Sequence, residues 1–397
     1  MRHETNIPFR PGAGRVPPVL SGRSSVLEAF DRTLKDMSAS GEGDRPWVLS
    51  GLRGVGKTVL LNEFTRRAKQ RDWITVKVEA SPGVSLAGAL ANGLYRPLRD
   101  TKAASEKAGN FLKRAIRVFS SFQIKVDPTG ATSFGFDVEP ERGVADSGVL
   151  SVDLLDLLET LGEAARALEI GVLLTVDELQ DTPQDDLRAL NMALHELGQS
   201  ASPVPVFFVG AGLPSLPAVL ADATSYAERL YDYRTIGLLD DQATREALVL
   251  PLKPLGVAWD PAALNLVVKV SKGYPYLVQT CGKHVWDALT DQLSVTTAIA
   301  QTGILHAQRE VDEGLYRSRW ERATPRQRQL LVAMAEDGEG PSSISVLAER
   351  VGKKRTSNLS VPRRDLISGG HVYAPERGYL AFTVPGMADF INRESDI

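Results

Sequence analysis

The sequence predicts an α/β fold: a parallel sheet flanked by helices, followed by a helical lid and a small C-terminal module of short helices and a hairpin. Three observations carry that expectation. First, Gly51-Leu52-Arg53-Gly54-Val55-Gly56-Lys57-Thr58 lies between an apolar run at 47–50 and the helix-spaced residues Val59, Leu60, Leu61 and Phe64. A strand, a glycine-rich loop and a helix in that order make a phosphate-binding loop. Second, strand-like runs at 74–78, 172–176, 204–209 and 233–238 alternate with helical patterns, and the run at 172–176 is continuously apolar but for Thr175. That is how strands of a parallel sheet covered on both faces read. Third, from Asp240 to about Gln308 every signal is helical.

Taken in order, Pro17-Pro18-Val19-Leu20-Ser21-Gly22-Arg23 is a turn-rich lead-in to a helix marked by Val26, Leu27, Phe30 and Leu34. A polar loop, 38–45, separates that helix from the phosphate-loop strand. The stretch 86–119 reads as helical and basic. Residues 123–137, with Asp127-Pro128-Thr129-Gly130 as the turn, predict a β-hairpin, an insertion at about 120–140. The lid is expected as helices at 242–250, 261–270 and 275–289, broken by Pro251, Pro254, Gly256 and Gly273. Near the end, Thr324-Pro325 starts a helix, 345–350 and 362–367 belong to two more, and two apolar runs flank the turn Pro375-Glu376-Arg377-Gly378. Three short helices followed by a hairpin make a winged helix. The expected domains are therefore 1–238 for nucleotide binding, 239–310 for the lid and 311–397 for the winged helix.

Composition narrows the class. A 397-residue chain with 43% hydrophobic and 24% charged residues is ordinary for a globular protein of two or three domains. The polar N-terminus carries no signal-peptide pattern, and no apolar stretch is long enough to span a bilayer, so a cytoplasmic protein is expected. A single cysteine, Cys281, excludes an intrachain disulfide and a cysteine-rich zinc site, and the five histidines lack metal-ligand spacing. The net charge of −3 hides an asymmetry: from Leu315 onward thirteen Lys/Arg face ten Asp/Glu. A mildly basic end on an acidic body permits nucleic-acid contact without demanding it.

The octapeptide states its own chemistry. Glycines let backbone N–H groups converge on phosphate oxygens, Lys57 supplies a point charge for the outer phosphates, and the Thr58 hydroxyl can ligate Mg²⁺. Gly51, Arg53, Gly54, Val55, Gly56, Lys57, Thr58 and Val59 are the expected contacts. Downstream, the apolar run ends in Asp177-Glu178, on a strand expected to pair with the phosphate-loop strand. Asp177 would hold the metal opposite Thr58, and Glu178 would orient and deprotonate the attacking water. Arg229, between the fourth and fifth strands, is placed to reach the γ-phosphate of a neighbouring copy, with a local salt bridge as the plainer alternative. Lys353, Lys354, Arg355, Arg363 and Arg364 surround the expected recognition helix and suit duplex DNA as well as a solvated charged face. Leu366-Ile367-Ser368-Gly369-Gly370 imitates the signature loop of transporter ATPases but lies after Asp177 and inside the winged-helix segment.

With these motifs in hand, the chain resembles the AAA+/STAND branch of P-loop ATPases, in particular bacterial proteins related to the origin-recognition and initiation type. The octapeptide looks like their Walker A motif, 172–178 like Walker B, and 207–212 stands at the sensor-1 position. The resemblance implies ATP rather than GTP, and Mg²⁺. It places adenine against the lead-in, at Leu20, Gly22 and Arg23. Two departures accompany it. Gly210-Ala211-Gly212 offers no polar sensor side chain, and Gly273-Tyr274-Pro275 looks like the GxP motif of STAND switches where an AAA+ lid would carry an arginine. Pro275 is then expected near the base. Together these imply a slow Mg·ATP-dependent switch that repositions the winged helix, with duplex DNA and a second copy of the chain as candidate partners. A signalling scaffold whose winged helix contacts only protein is the alternative, and a metabolic kinase a weaker third.

Overall fold

The computed structural model describes residues 7–102, 105–126, 139–290 and 292–395. Helix α1 (Ser24–Ser40) turns Val26, Leu27, Phe30, Leu34 and Met37 inward and ends at Gly41, whose left-handed backbone returns its N–H to the Met37 carbonyl. Strand β1 (Trp47–Ser50) then leads through the glycine-rich loop into α2 (Lys57–Lys69). Next come β2 (Ile74–Glu79), α3 (Leu86–Asp100), α4 (Glu106–Val126), α5 (Leu150–Ala167), β3 (Val172–Asp177), α6 (Gln184–Gln199) and β4 (Val206–Gly212). Helices α7 (Leu216–Ala223) and α8 (Ala227–Leu230) precede β5 (Asp232–Thr235).

The five strands form one parallel sheet in the order β2-β3-β4-β1-β5. The strand ending in Asp177 is therefore not the partner of the phosphate-loop strand: β4 lies between them, with Val209 opposite Trp47 on one side and Thr175 on the other. Apolar runs identify strands of a parallel sheet but carry nothing of their lateral order, because helical crossovers can skip a position. Alternation divides the core. Trp47, Leu49, Leu173, Phe207 and Val209 face α1 and α2, while Val48, Val76, Val176, Val206 and Phe208 face the layer containing α3 to α6. Phe30 stacks on Phe64 with centroids 4.0 Å apart, and both meet Trp47 edge-on, which fixes α1 and α2 against the sheet.

The expected hairpin insertion is corrected in its first arm. Residues 123–126 are the last turn of α4, which buries Ala115, Val118, Phe119 and Phe122 at helical spacing. Tertiary burial of that stripe overrides the local β-propensity of Ile124 and Val126. The turn at 127–130 and the second arm at 132–137 lie outside the described residues.

The lid comprises α9 (Asp241–Val249), α10 (Pro261–Ser271), α11 (Pro275–Ala288) and α12 (Thr297–Val311), with β6 (Ala258–Trp259) and β7 (Ser294–Val295) forming a small parallel pair. The Asp240 carboxylate caps α9 by accepting the Ala243 N–H at 2.7 Å. Cys281 sits in the lid core, where burial pushes its thiol up to about 12. A π-helical segment (Asp312–Arg317) joins α12 to α13 (Ser318–Arg322). The C-terminal module follows in the order α14 (Pro325–Ala335), β8 (Ser342–Ser343), α15 (Ile344–Arg350), α16 (Ser360–Ser368), β9 (Val372–Tyr373), β10 (Tyr379–Phe382) and α17 (Met387–Ser395). Thr324 and Gln327 form a reciprocal capping box at the start of α14. The hairpin strand β10 pairs antiparallel with β9 and also with β8. That third strand and α17 add to what the sequence predicted. No helix among the described residues is long and apolar enough to cross a membrane.

Candidate nucleotide site

The site grows from the loop between β1 and α2. Gly54 and Gly56 have φ of +77° and +99°, backbone that only glycine adopts without strain, so successive N–H groups turn toward one point at the α2 N-terminus. Lys57, the first residue of α2, is buried, and its Nζ donates to the Gly51 and Leu52 carbonyls at 2.9 Å each. Burial lowers its pKa against the opposing pull of Glu178 and Asp177. Thr58 Oγ1 donates to Asp177 Oδ2 at 2.6 Å, so β3 delivers its carboxylate to the loop although β4 separates the strands. The juxtaposed hydroxyl and carboxylate are oxygen donors of the kind a hard divalent cation takes, so the pair fits Mg²⁺.

Glu178 follows Asp177 with φ of +48°, a strained conformation for a side-chain-bearing residue, and it aims back at the loop. Arg53 Nη1 donates to Glu178 Oε1 at 2.9 Å. On the other side, Gln180 Nε2 donates to Glu178 Oε2 at 2.7 Å, while Gln180 Oε1 accepts the Leu213 N–H at 3.1 Å. A Cβ on Gly212 would collide with that Gln180 amide. The bare Gly212 at the end of β4 thus makes room for a polar side chain reaching across from the Glu178 turn. Sequence reasoning noted the missing polar group and not its replacement.

A cavity of about 440 Å³ opens over the loop. Its charged part is lined by Arg53, Lys57, Thr58, Glu178 and Arg319, and its apolar part by Val19, Leu20, Leu239, Pro275 and Val278. Of the sequence-predicted contacts, Leu20, Arg23, Arg53, Gly54, Val55, Gly56, Lys57, Thr58, Val59 and Pro275 all line it. Gly22 and Gly51 are not among the lining residues. A Cβ on Gly22 would strike Ala243 and one on Gly51 would strike the Ile236 carbonyl, so both serve close packing around the site. Arg23 bridges the Val55 and Gly237 carbonyls at 3.1 and 2.6 Å, tying the loop to the β5 exit. Arg229 is exposed on α8 and is not part of this cavity's lining.

Two further elements close over the cavity. Residues 10–15 form a strap along it: the Arg10 N–H donates to Gln279 Oε1 at 3.0 Å, and Asn62 Nδ2 donates to the Gly14 carbonyl at 2.6 Å. Phe9 anchors the strap in the lid core, against Gly282. A lone phenylalanine among prolines and glycines was the available sequence signal. From the lid, Gly273 accommodates the Leu239 backbone and Tyr274 lies over Gly54, its phenol pKa raised by burial.

The C-terminal module meets the same loop. The Arg53 N–H donates to the Thr383 carbonyl at 2.8 Å, and Arg319 Nη1 donates to the Gly370 carbonyl at 3.0 Å. Thr383 Oγ1 donates to Gly370 and His371 carbonyls at 2.7 and 3.1 Å, which makes 370–383 a rigid corner resting on the loop.

Comparison with known proteins agrees with this geometry. Residues 19–209 match the AAA ATPase domain family, which takes in β1, the glycine-rich loop, Asp177 and Glu178. The nucleotide-binding part of the chain is an AAA ATPase domain. Residues 313–391 match a domain of unknown function (DUF8462). Among solved structures, the ORC2 protein of Aeropyrum pernix in its ADPNP–ADP complexes superposes with a TM-score of 0.57 at 15% identity, covering 97% of this chain and 98% of that one. The Walker-type ATPase paby2304 of Pyrococcus abyssi gives a TM-score of 0.58 at 17% identity, covering 96% and 98%. At such identities the likeness establishes a shared fold. No curated protein matches the sequence.

Proposed function

We propose that the protein is a cytoplasmic, Mg·ATP-dependent ATPase that works as a slow switch, its nucleotide state setting whether the C-terminal module stays docked on the AAA domain. One observation carries this reading: Arg53 holds Glu178 through its side chain and Thr383 through its backbone, so the general base and the docked module share one residue. Lys57 and the loop N–H groups would hold phosphate, Thr58 and Asp177 the metal, and Leu20, Arg23 and Pro275 the adenosine. When bound, Mg²⁺ would neutralise phosphate charge. Glu178 can take a proton from water only after Arg53 releases it.

Three measurements test this together. Lys57→Ala should lower ATP affinity by at least about tenfold, and unchanged affinity removes the nucleotide reading altogether. Glu178→Gln should bind ATP and stop turning it over. Hydrogen exchange across 370–384 should differ between ATP and ADP states, and identical protection in both removes the switch.

The C-terminal module is read as a winged helix, with duplex DNA as its partner. Lys353, Lys354 and Arg355 are consecutive, exposed and in no salt bridge among the described residues, whereas Arg364 pairs with Asp365 and Arg363 is half-buried. The triple charge reversal at 353–355 should therefore abolish duplex retention at low salt. Retention equal to the wild type, or none in the wild type, favours the protein scaffold instead. Arg229, exposed on α8, is proposed to reach the terminal phosphate bound by a neighbouring copy. Turnover that is independent of protein concentration would remove that role.

A further inference from the structure

The strap at 10–15 is held at two ends of unequal strength. At the lid end, Phe9 is 1% exposed and packs in the lid core. A Cβ on Gly282 would fall 2.4 Å from its ring, so α11 is bare where the phenylalanine enters. Arg10 adds a hydrogen bond to the same helix, from its N–H to Gln279 Oε1. At the other end, the bond from Asn62 Nδ2 to the Gly14 carbonyl is the one hydrogen bond among the described residues that joins the strap to α2. Asn62 lies four residues after Thr58, one helical turn on, so this latch stands on the α2 face that carries the Thr58 hydroxyl. Gly14, at φ of +67°, lets the backbone lie this close: a Cβ there would come 3.1 Å from both Asn62 Nδ2 and Thr58 Cγ2. The Asn62 amide is set in advance. Lys77 Nζ, reaching over from β2, donates to its Oδ1 and so turns its Nδ2 toward the strap. Lys77 is exposed and is not among the residues lining the cavity, so any effect it has there passes through Asn62.

Length makes the strap a restraint on the lid. Arg10 and Gly14 are four residues apart, a span of about 13–14 Å at full extension. With both ends held, α11 cannot swing clear of α2, and α11 carries Pro275 and Val278 of the cavity's apolar wall. Opening therefore requires one end to let go. Withdrawing Phe9 exposes a buried ring, whereas releasing Gly14 exposes one amide and one carbonyl that water satisfies at once. The Asn62 end is the one that opens. Gly12 and Gly14, both with positive φ, give the freed segment room to bend.

Resting on the nucleotide reading above, we propose that the strap is a gate on nucleotide exchange, latched by Asn62, and that its opening limits the release of ATP and ADP alike. The hydrogen bonds that hold it go to α2 and α11 rather than to Glu178 or Arg53, so the gate does not distinguish the two nucleotides. A gate lies on the path in as well as the path out. Unlatching it speeds both directions and leaves the affinity nearly unchanged.

Stopped-flow release of a fluorescent ADP analogue from the full chain, chased with excess ADP and Mg²⁺, reads the gate directly. Asn62→Ala should raise the release rate at least about tenfold and the association rate by a similar factor, with Kd within about threefold of wild type. Lys77→Met should raise both rates by a smaller factor, because the amide keeps its donor and loses only its orientation. A fluorescent nonhydrolysable ATP analogue should be released faster by the same factor as the ADP analogue. Thermal unfolding of each nucleotide-free variant controls for folding, and should Asn62→Ala fail to fold, Lys77→Met decides alone. An unchanged release rate overturns the gate. Faster release at an unchanged association rate also overturns it, since loss of an ordinary nucleotide contact gives that result, and so does acceleration of one nucleotide only. If instead the wild type binds neither nucleotide, or Lys57→Ala binds both as well as the wild type, the nucleotide reading itself fails, a distinct result.

Discussion

The Arg53 guanidinium lies 2.9 Å from the Glu178 carboxylate and joins the phosphate-binding loop to the end of β3. Neither partner is fully exposed, at 29% and 21% of their side-chain surface, so the pair is screened less than a surface ion pair. The guanidinium occupies a lone-pair direction of the oxygen that would have to accept a proton from water. Arg53→Ala should raise single-turnover phosphate release several-fold at saturating Mg·ATP, because the barrier no longer includes breaking this contact. A fall in the rate would assign Arg53 to phosphate binding rather than to restraint.

Gln180 holds the opposite oxygen of Glu178 and is itself held by the Leu213 N–H. It orients the proposed base and is not among the residues lining the cavity, so its expected contribution belongs to the chemical step. Gln180→Ala should lower kcat about tenfold with KM within about twofold of wild type. A rise in KM at constant kcat would mean that the substitution disturbed binding instead.

Much of the fold was legible because its signals are local. The apolar run 172–176 could only be a covered strand, Thr324-Pro325 announced a helix start, and the octapeptide announced its own loop. Lateral order was not legible: nothing in β3 records that β4 separates it from β1. The hairpin expectation at 123–126 failed where the stripe running through Phe119 and Phe122 carried α4 onward past its local propensity. Within the site, contiguous residues were readable and distant ones were not. Arg319 comes to the cavity from far along the chain, Phe9 anchors its strap from within the lid core, and Gln180 bonds Glu178 from two residues on; an isolated arginine, glutamine or phenylalanine has no spacing to betray it.

Two glycines of the loop invite a comparison that separates backbone strain from collision. Gly54 and Gly56 both have positive φ, so alanine at either costs about 1–2 kcal/mol in backbone conformation alone. At Gly56 the added methyl meets open space, whereas at Gly54 it strikes the Tyr274 ring that the lid lays over the loop. Gly54→Ala should therefore lower the nucleotide-free Tm further than Gly56→Ala, by several degrees, and should loosen the lid. Equal Tm values would mean that Tyr274 moves aside freely and that the lid does not rest on the loop.

His371, at the corner that docks on the loop, should make that docking acid-sensitive. Burial, reinforced by Arg319, Arg322 and Arg53, lowers its pKa from 6.5 to about 4, and its buried Nδ1 has no hydrogen-bond partner among the described residues. The docked imidazole is neutral, while an undocked or unfolded one takes up a proton near its ordinary value. Between those two values the released state binds more protons, so stability rises with pH up to about 6.5 and is level above it. Acidification from neutrality toward pH of about 4 should lower Tm and expose the backbone of 370–384 to exchange, because the imidazole takes up its proton once released from the three arginines. Carboxylates titrate at the lower end of the same window, so the informative quantity is the difference between wild type and His371→Gln. The variant should lose the part of the slope that lies nearest 6.5, where carboxylates are still ionised. Parallel Tm curves for the two proteins would show that the imidazole takes up its proton without leaving the corner.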